Sequence, residues 1–549
     1  MDRRLILAIA LMIVVAVLPS IFLKQPPRRL AASRPVAAES ALANGQAATP
    51  VPPVTTAAAP VPSSVRAGVA ASLAAPAETV SVTTPRAAYR FTSLGAALES
   101  AALPGFRSFH DRGEVDLVRP GDRLLAYRLV LGTDTLRLDS LPFSVMRAAD
   151  GVAFSAARGA IRFDVEYART AGRNYELDVA GTVEGLEGRG ALLLIGMGTG
   201  IANVEADSLD NYRRYGVVGR SDSPEDKAFS KVAPGETAAL EGPYDWVAVK
   251  SKYFIAALLS GDTARREFGG AVLTGGPRPG RLATHAQTWV TRAIGADGRF
   301  RFQLYLGPQE YREIHPIGRQ LDKASPYGWI FKPIVMPVSL WITQLLLWMH
   351  QFLHLGYGFV LILFGILVRL LLWPLNQKAM MSSVAMQAVQ PLMKDVQTRH
   401  KDDPARLQQE MLKLYKEHKV NPLGGCLPML LPFPILLALF FVFANTIEFR
   451  GVPFLWLPDL SQRDPYYIIP VVMGASMWAL SKLGQMGMPP NPQAKMMTTI
   501  MPIMMTVLFL NFASGLNLYY AVSNLISLPQ QYIINQARMR EMERRKGKS

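Results

Sequence analysis

Cysteine is nearly missing: of 549 residues only Cys426 carries a thiol. No intramolecular disulfide can form, and no Cys-rich metal site exists. The seven histidines are scattered, with no HExxH and no His/Cys cluster at ligand spacing, so no metal is expected. Charge is scarce too, at 18% of residues. Its negative half is the scarcer, with 42 acidic against 58 basic side chains and a net +16. That balance suits anionic partners such as nucleic acid, the ribosome or phospholipid headgroups. Gly196-Met197-Gly198-Thr199-Gly200 matches neither GxGxxG nor a Walker sequence and reads as a turn beside a strand. Neither a nucleotide nor any other cofactor is expected. What is abundant is apolar surface. Half of the residues are hydrophobic, and the length indicates several domains, some of them in a membrane.

Residues 5–23 are a near-continuous apolar run behind Asp2-Arg3-Arg4. At about nineteen residues the run has the length of a transmembrane helix. The basic start and the small residues at Leu30-Ala31-Ala32-Ser33 also fit a secretory signal peptide. An uncleaved signal anchor over 1–23, with Arg3 and Arg4 cytoplasmic, is the favoured reading. Residues 24–85 are mainly Ala, Pro, Ser, Val and Thr without a helix or strand period, and read as a disordered linker. Such a tether spans roughly 45 Å root-mean-square.

Over 86–322 the pattern changes to alternation. Ile161-Arg162-Phe163-Asp164-Val165-Glu166-Tyr167 and Phe300-Arg301-Phe302-Gln303-Leu304-Tyr305-Leu306 alternate strictly. Asp245-Trp246-Val247-Ala248-Val249-Lys250 and Tyr175-Glu176-Leu177-Asp178-Val179 are similar. Period-two runs broken by Gly, Pro and Asp clusters predict an antiparallel sandwich. Asp207, Asp210, Asp222 and Asp226 lie in loop-like sequence, and no spacing ties two of them into a glycosidase pair.

Hydrophobic sequence returns near Tyr327. Trp329–Phe352, with Trp341, Trp348, Pro333 and Pro337, reads as an amphipathic helix in the outer interface within 323–355. Spanning helices are expected at about 356–373, 427–447, 467–483, 496–512 and 515–534, inside a core of 356–549. Two of them are short enough to thin the bilayer. Residues 376–425 repeat apolar positions at three and four and carry Lys394, Arg399, Lys413 and Lys416, which predicts a basic cytoplasmic helical hairpin. The tail at 536–549 is also basic. Both termini are therefore expected in the cytoplasm and the β domain outside.

The chemistry-bearing residues of the membrane half form no nucleophile, base and orienter, so an enzyme is not expected. Arg369 stands out, because a guanidinium stays charged and costs between about 2.5 and more than 10 kcal/mol in hydrocarbon. Two readings of it are open: a groove-lining functional cation, or a side chain that snorkels to cytoplasmic headgroups. Asn517 and Asn524 suit a wet interior, whereas Ser476 and Thr506 suit packing or back-bonding equally. Met473, Met477, Met486, Met488, Met496, Met497, Met501, Met504 and Met505 crowd one region, fitting either an adaptable apolar surface or ordinary filler.

Asn421-Pro422-Leu423-Gly424-Gly425-Cys426-Leu427-Pro428, Asp464-Pro465-Tyr466-Tyr467-Ile468-Ile469-Pro470, Ser514-Gly515-Leu516, Leu518-Tyr519-Tyr520 and Ser523-Asn524-Leu525 resemble the YidC membrane protein insertases of Gram-negative bacteria, within the YidC/Oxa/Alb family. The resemblance covers about 328–534. It implies a multi-domain membrane protein with six helices, namely an anchor plus a five-helix core, and a large periplasmic all-β supersandwich. It also implies a hydrophilic groove holding Arg369, with Tyr520 in substrate contact; Asn517, Asn524 and Thr506 are expected in that groove as polar residues of apolar helices. Gly365, a turn before Arg369, stands where relatives often carry a hydroxyl. The implied partners are nascent membrane proteins and the Sec translocon with its accessory subunits. The basic tail and hairpin suit the ribosome or anionic phospholipid. The alternatives are a transporter with a periplasmic binding domain, which is disfavoured because the halves show no internal repeat, and a membrane-anchored periplasmic carbohydrate-active protein.

Overall fold

The computed structural model describes residues 77–546, apart from 263, 279, 281, 326–330, 402, 419, 421–432 and 487–491. The expected anchor at 1–23, most of the linker and the Asn421–Pro428 motif lie outside the described residues.

Alternating sequence becomes sheet. Ile161–Arg169 buries Phe163, Val165 and Tyr167 and exposes Arg162 and Glu166, as a half-buried strand must. It is an interior strand of a nine-stranded antiparallel sheet running from Pro224–Ala228 at one edge to Ser144–Ala148 at the other. A six-stranded sheet runs from Thr237–Tyr244 to Asp134–Arg137. Both contribute to one core, in which Phe163, Phe302 and Leu304 of the first join Leu193, Ile195 and Val290 of the second. A four-stranded sheet, beginning with Thr79–Thr83, adds Phe91, stacked 4.3 Å from Tyr167.

Two expectations are corrected. The β domain already includes Thr79–Thr83, inside the segment read as linker, because Thr-Val-Ser-Val-Thr is itself a period-two β-branched run pairing Thr79 with Thr92. Trp246–Lys250 does not alternate in burial: all five residues are buried, since this strand is covered on both faces.

The helical part comprises α1 (Lys332–Leu353), α2 (Tyr357–Leu371), α3 (Trp373–Arg399), α4 (Pro404–Glu417), α5 (Phe433–Asn445), α6 (Ile468–Gln485), α7 (Pro492–Phe509) and α8 (Ser514–Lys546). Among the described residues α1 is the one helix long and apolar enough by itself to cross a bilayer; 357–371, 434–445 and 498–509 are shorter apolar helices. At 1.5 Å per residue, α2 is only about 22 Å long, short of a hydrocarbon core of roughly 30 Å. Gln344, midway along α1, donates to the Tyr311 hydroxyl of the β domain at 2.6 Å. The basic tail does not separate from the last helix, because α8 continues to Lys546 past Pro529.

Small residues let these helices approach closely. A Cβ on Gly474 of α6 would lie 1.8 Å from the Thr506 Oγ1 of α7. Gly474→Ala is expected to cost about 1–3 kcal/mol by overpacking. Thermal unfolding in detergent should show the loss, and Thr506→Ala in the same chain should recover most of it.

The β domain is clamped to the segment after α5. Ile447 inserts into the β core. The buried Arg450 donates from Nε to the Glu205 carboxylate at 2.8 and 3.1 Å and from Nη2 to the Val204 carbonyl, beneath the Phe109 ring 4.2 Å away. Glu448 accepts from the Tyr311 amide at 3.0 Å through Oε1, while its Oε2 has no partner. Burial pushes the Glu448 carboxyl from an ordinary 4.5 up to about 7, against the opposing pull of backbone N–H groups and Arg312. The folded state thus holds this proton more tightly than the unfolded chain does. The stability linked to it is complete below the ordinary carboxylate value and is lost as pH rises through about 7. Wild type should lose roughly 3 kcal/mol relative to Glu448→Gln as pH rises from below the ordinary carboxylate value to mildly alkaline, as read by unfolding at each pH.

Candidate functional site

We define the outer end of the helices as the one facing the β domain. The outer end is closed by hydrogen bonds from the loop between α5 and α6. Ser514 and Gly515, which start α8, donate their amides to Gln462 and Leu460 at 2.7 and 2.9 Å. The Ser514 hydroxyl adds a bond to the Asp459 carbonyl. Asp464, wholly buried, accepts the amides of Tyr466 and Ile469 and so ties the loop to the start of α6.

The inner end has a different character. Arg369 lies in the last turn of α2, where a cation also complements the helix dipole. Its outward neighbours Phe359, Leu363, Leu367 and Leu370 form the exposed stripe of α2, while Gly365 faces α8. A Cβ on Gly365 would meet Val522 at 3.4 Å and Tyr519 at 3.5 Å, ordinary van der Waals contact, so this position has room for an alanine against α8. Arg369 is half-buried, its Nε has no hydrogen-bond partner, and Tyr519 and Tyr520 are its electrostatic neighbours. Among the described residues no carboxylate is paired with it.

Further along, the inner half of α8 is polar and buried: Ser527, Gln530, Gln531 and Asn535. Asn376 of α3 donates to Gln530 at 3.1 Å, Gln530 donates to the Trp373 carbonyl, and Asn535 donates to the Leu483 carbonyl of α6. Sequence reasoning missed these four α8 residues and Asn376. Their spacing along one continuous helix was the available signal; only Asn535 lies beyond the expected end of that helix at 534.

Three of the residues expected to line the hollow lie instead in helix contacts. Asn517 is buried and donates to the Phe509 carbonyl at 3.0 Å. Asn524 donates to the Ser476 hydroxyl at 3.3 Å, which itself back-bonds to Met473. Thr506 back-bonds to Pro502 at 2.8 Å. The Asn524 amide and the Ser476 and Thr506 hydroxyls thus find acceptors within the helices, while the Asn517 Oδ1 is buried without a partner. Tyr520 is half-buried, its ring stacked 5.8 Å from Phe509. Lys394, Arg399, Lys413 and Lys416 are all exposed on α3 and α4, with Asp403 capping α4 through the Arg406 amide.

In the β domain the acidic residues do not converge. Asp207 caps the short helix Ser208–Arg213, Asp210 pairs with Lys252 at 2.8 Å, and Asp222 pairs with Arg266. Among the described residues no group of three or more His, Cys, Asp or Glu side chains is arranged for a metal.

Short apolar helices with a polar inner end and, among the described residues, a guanidinium lacking a paired carboxylate, joined at the other end to a β-sandwich, have the make-up of a membrane protein with a large domain outside the bilayer. The comparisons agree with that class. Residues 79–349 match the family described as the YidC periplasmic domain, and residues 348–542 the 60Kd inner membrane protein family. The membrane protein insertase YidC of Syntrophus aciditrophicus is 36% identical over 59% of this chain and 58% of its own length. That of Chlorobaculum tepidum is 29% identical over 97% and 95%. The chain thus spans little more than half the length of the Syntrophus relative, and 52% of each of two Chlorobium relatives. A crystal structure of an active YidC insertase with its first transmembrane domain resolved aligns at 20% identity and a TM-score of 0.35, covering 83% of this chain and 92% of that one. The chain belongs to the YidC membrane protein insertase family, as an inner-membrane protein with a periplasmic domain.

Proposed function

We propose that this chain inserts newly made proteins into the inner membrane and helps them fold. Arg369 is the cation that attracts acidic or polar residues of a segment about to cross. The observation that carries this reading is the contrast between the two ends of the helices. At the inner end a half-buried guanidinium lies beside Tyr519 and Tyr520 with no paired carboxylate among the described residues, and the outer end is closed by Asp464 and the Leu460–Gln462 bonds. A polar hollow shortens the hydrocarbon path that a translocating loop must cross, and the short helices thin it further. Apolar client segments then leave along the lipid-facing side of α2 and α7, where Leu363, Leu367, Ile500, Ile503 and Val507 are exposed.

In this reading both termini and the α3–α4 hairpin are cytoplasmic. The exposed Lys394, Arg399, Lys413 and Lys416, with the basic end of α8, meet the ribosome or anionic lipid, and the Sec translocon is a partner for larger clients. Depletion of the protein, followed by protease mapping of a small client with one short acidic translocated loop, tests the proposal. Protection of that loop should vanish on depletion and return with the wild-type chain; unchanged protection would refute it.

A further inference from the structure

The loop between α5 and α6 is inverted relative to a water-facing loop. Its carboxylates are inside: Asp464 is fully buried, accepting the Trp456 indole N–H at 3.2 Å and the amides of Tyr466 and Ile469, and Asp459 accepts the Ser461 amide at 2.7 Å. Phe454, Leu457 and Leu460 pack inward, but the apolar side chains at its tip and at its α6 end are outside. Leu455 is 72% exposed and Tyr466 68%, with Trp456 and Tyr467 also exposed. The inversion is built in. Phe454 and Leu457 exchange two backbone hydrogen bonds of 2.9 Å, making a tight turn with Leu455 and Trp456 at its tip. Leu455 holds φ at 52°, a left-handed conformation that a leucine rarely adopts. A water-facing loop would place glycine or asparagine at such a position.

We propose that this loop is a lipid-binding surface. The Leu455–Trp456 tip, with Tyr466 and Tyr467, enters the headgroup–acyl boundary of the outer leaflet, and Arg463 meets lipid phosphate. Two further observations select lipid as the occupant. The tip continues the lipid-facing surface of the helices: Phe454 at its base contacts the Phe359 ring at 5.3 Å, and Phe359 heads the exposed stripe of α2. The composition is also that of the interface zone, with exposed Trp456, Tyr466 and Tyr467 and an exposed arginine for the phosphates. The loop thereby fixes the depth at which the closed outer end sits, and the hydrogen bonds of Asp464 pass that position directly to α6. The inference concerns lipid contact alone and is independent of what the inner end does with clients.

The full chain carrying Cys426→Ser and Leu455→Cys, spin-labelled and reconstituted in liposomes containing anionic lipid, tests it. Collisions with apolar oxygen should exceed those with a water-soluble nickel chelate. A label at Met146→Cys, on the exposed edge strand of the β domain, should show the reverse. Tyr466→Cys gives a second site should Leu455→Cys fail to fold, and it should behave like the Leu455 label. Nickel accessibility at both loop sites equal to that at Met146→Cys overturns the proposal. So does protection from nickel that arises only on adding solubilised inner-membrane proteins, since that would assign the surface to a protein partner.

Discussion

Replacing Arg369 by Ala is expected to impair insertion of clients whose translocated segment is acidic, and replacement by Lys to preserve much of it. The guanidinium has no carboxylate partner among the described residues and its Nε is unbonded, so its positive charge is not cancelled locally. Attraction between two unit charges about 4 Å apart is worth roughly 1 kcal/mol in water and about 4 kcal/mol in a partly shielded site. Losing it should lower loading of an acidic segment by roughly fivefold to several hundredfold. A client with a neutral translocated segment should change far less. Protease protection of a matched pair of clients, differing only in the acidic residues, measures both effects. Equal insertion of both clients by wild type, Arg369→Ala and Arg369→Lys would mean that Arg369 merely snorkels to headgroups.

The second large effect concerns the clamp between the β domain and the membrane part. Arg450→Ala is expected to destabilise that junction by about 3–5 kcal/mol, because it leaves the Glu205 carboxylate buried without its counter-charge. The side chains are 3% and 2% exposed, so water does not take the place of the guanidinium. Burial already pushes the Glu205 carboxyl above the ordinary range even with Arg450 in contact, and removal of the cation raises it further. Replacing both residues by methionine should recover much of the loss, as apolar substitutes do for many buried pairs. Thermal unfolding and limited proteolysis near 445–451 report the outcome. An Arg450→Ala chain as stable and protease-resistant as wild type would show that Ile447 and its neighbours hold the junction alone.

Much of this architecture is legible in one dimension because periodicity is a local property. Phe163, Val165 and Tyr167 alternate with Arg162, Asp164 and Glu166, and a strand with one buried face is the outcome. Phe359, Leu363, Leu367 and Leu370 repeat at helical spacing on the outward face of α2. The alternation read into Asp245–Lys250 failed because burial there depends on what covers each face of the sheet, and that cover comes from distant segments. The start of the β domain was misplaced because an Ala/Pro-rich neighbourhood masked the five-residue run Thr79–Thr83.

The candidate site was partly legible. Arg369 is conspicuous in any reading, since a permanent charge inside an apolar helix needs an explanation. Asn517 and Asn524 looked equally suited to a wet hollow, yet the structure pairs them with the Phe509 carbonyl and Ser476 hydroxyl. Gln530, Gln531, Asn535 and Asn376 took their place around the inner end. A polar residue's type does not reveal whether an acceptor will be waiting on the next helix.

The sequence by itself determined that this chain has no disulfide, that it joins a β-sandwich to short apolar helices, and that one of those helices carries a fixed cation. Composition and spacing suffice for such statements, because strand faces, helix stripes and permanent charges follow from residues near one another in the chain. Only the tertiary structure decided which polar groups are already bonded and which are not. It also decided that Arg450 reaches Glu205, and that the loop around Asp464 turns its carboxylates inward and its Leu455–Trp456 tip outward. Those outcomes depend on partners separated by up to hundreds of residues, and the free energy of a buried charge or amide is set by those partners.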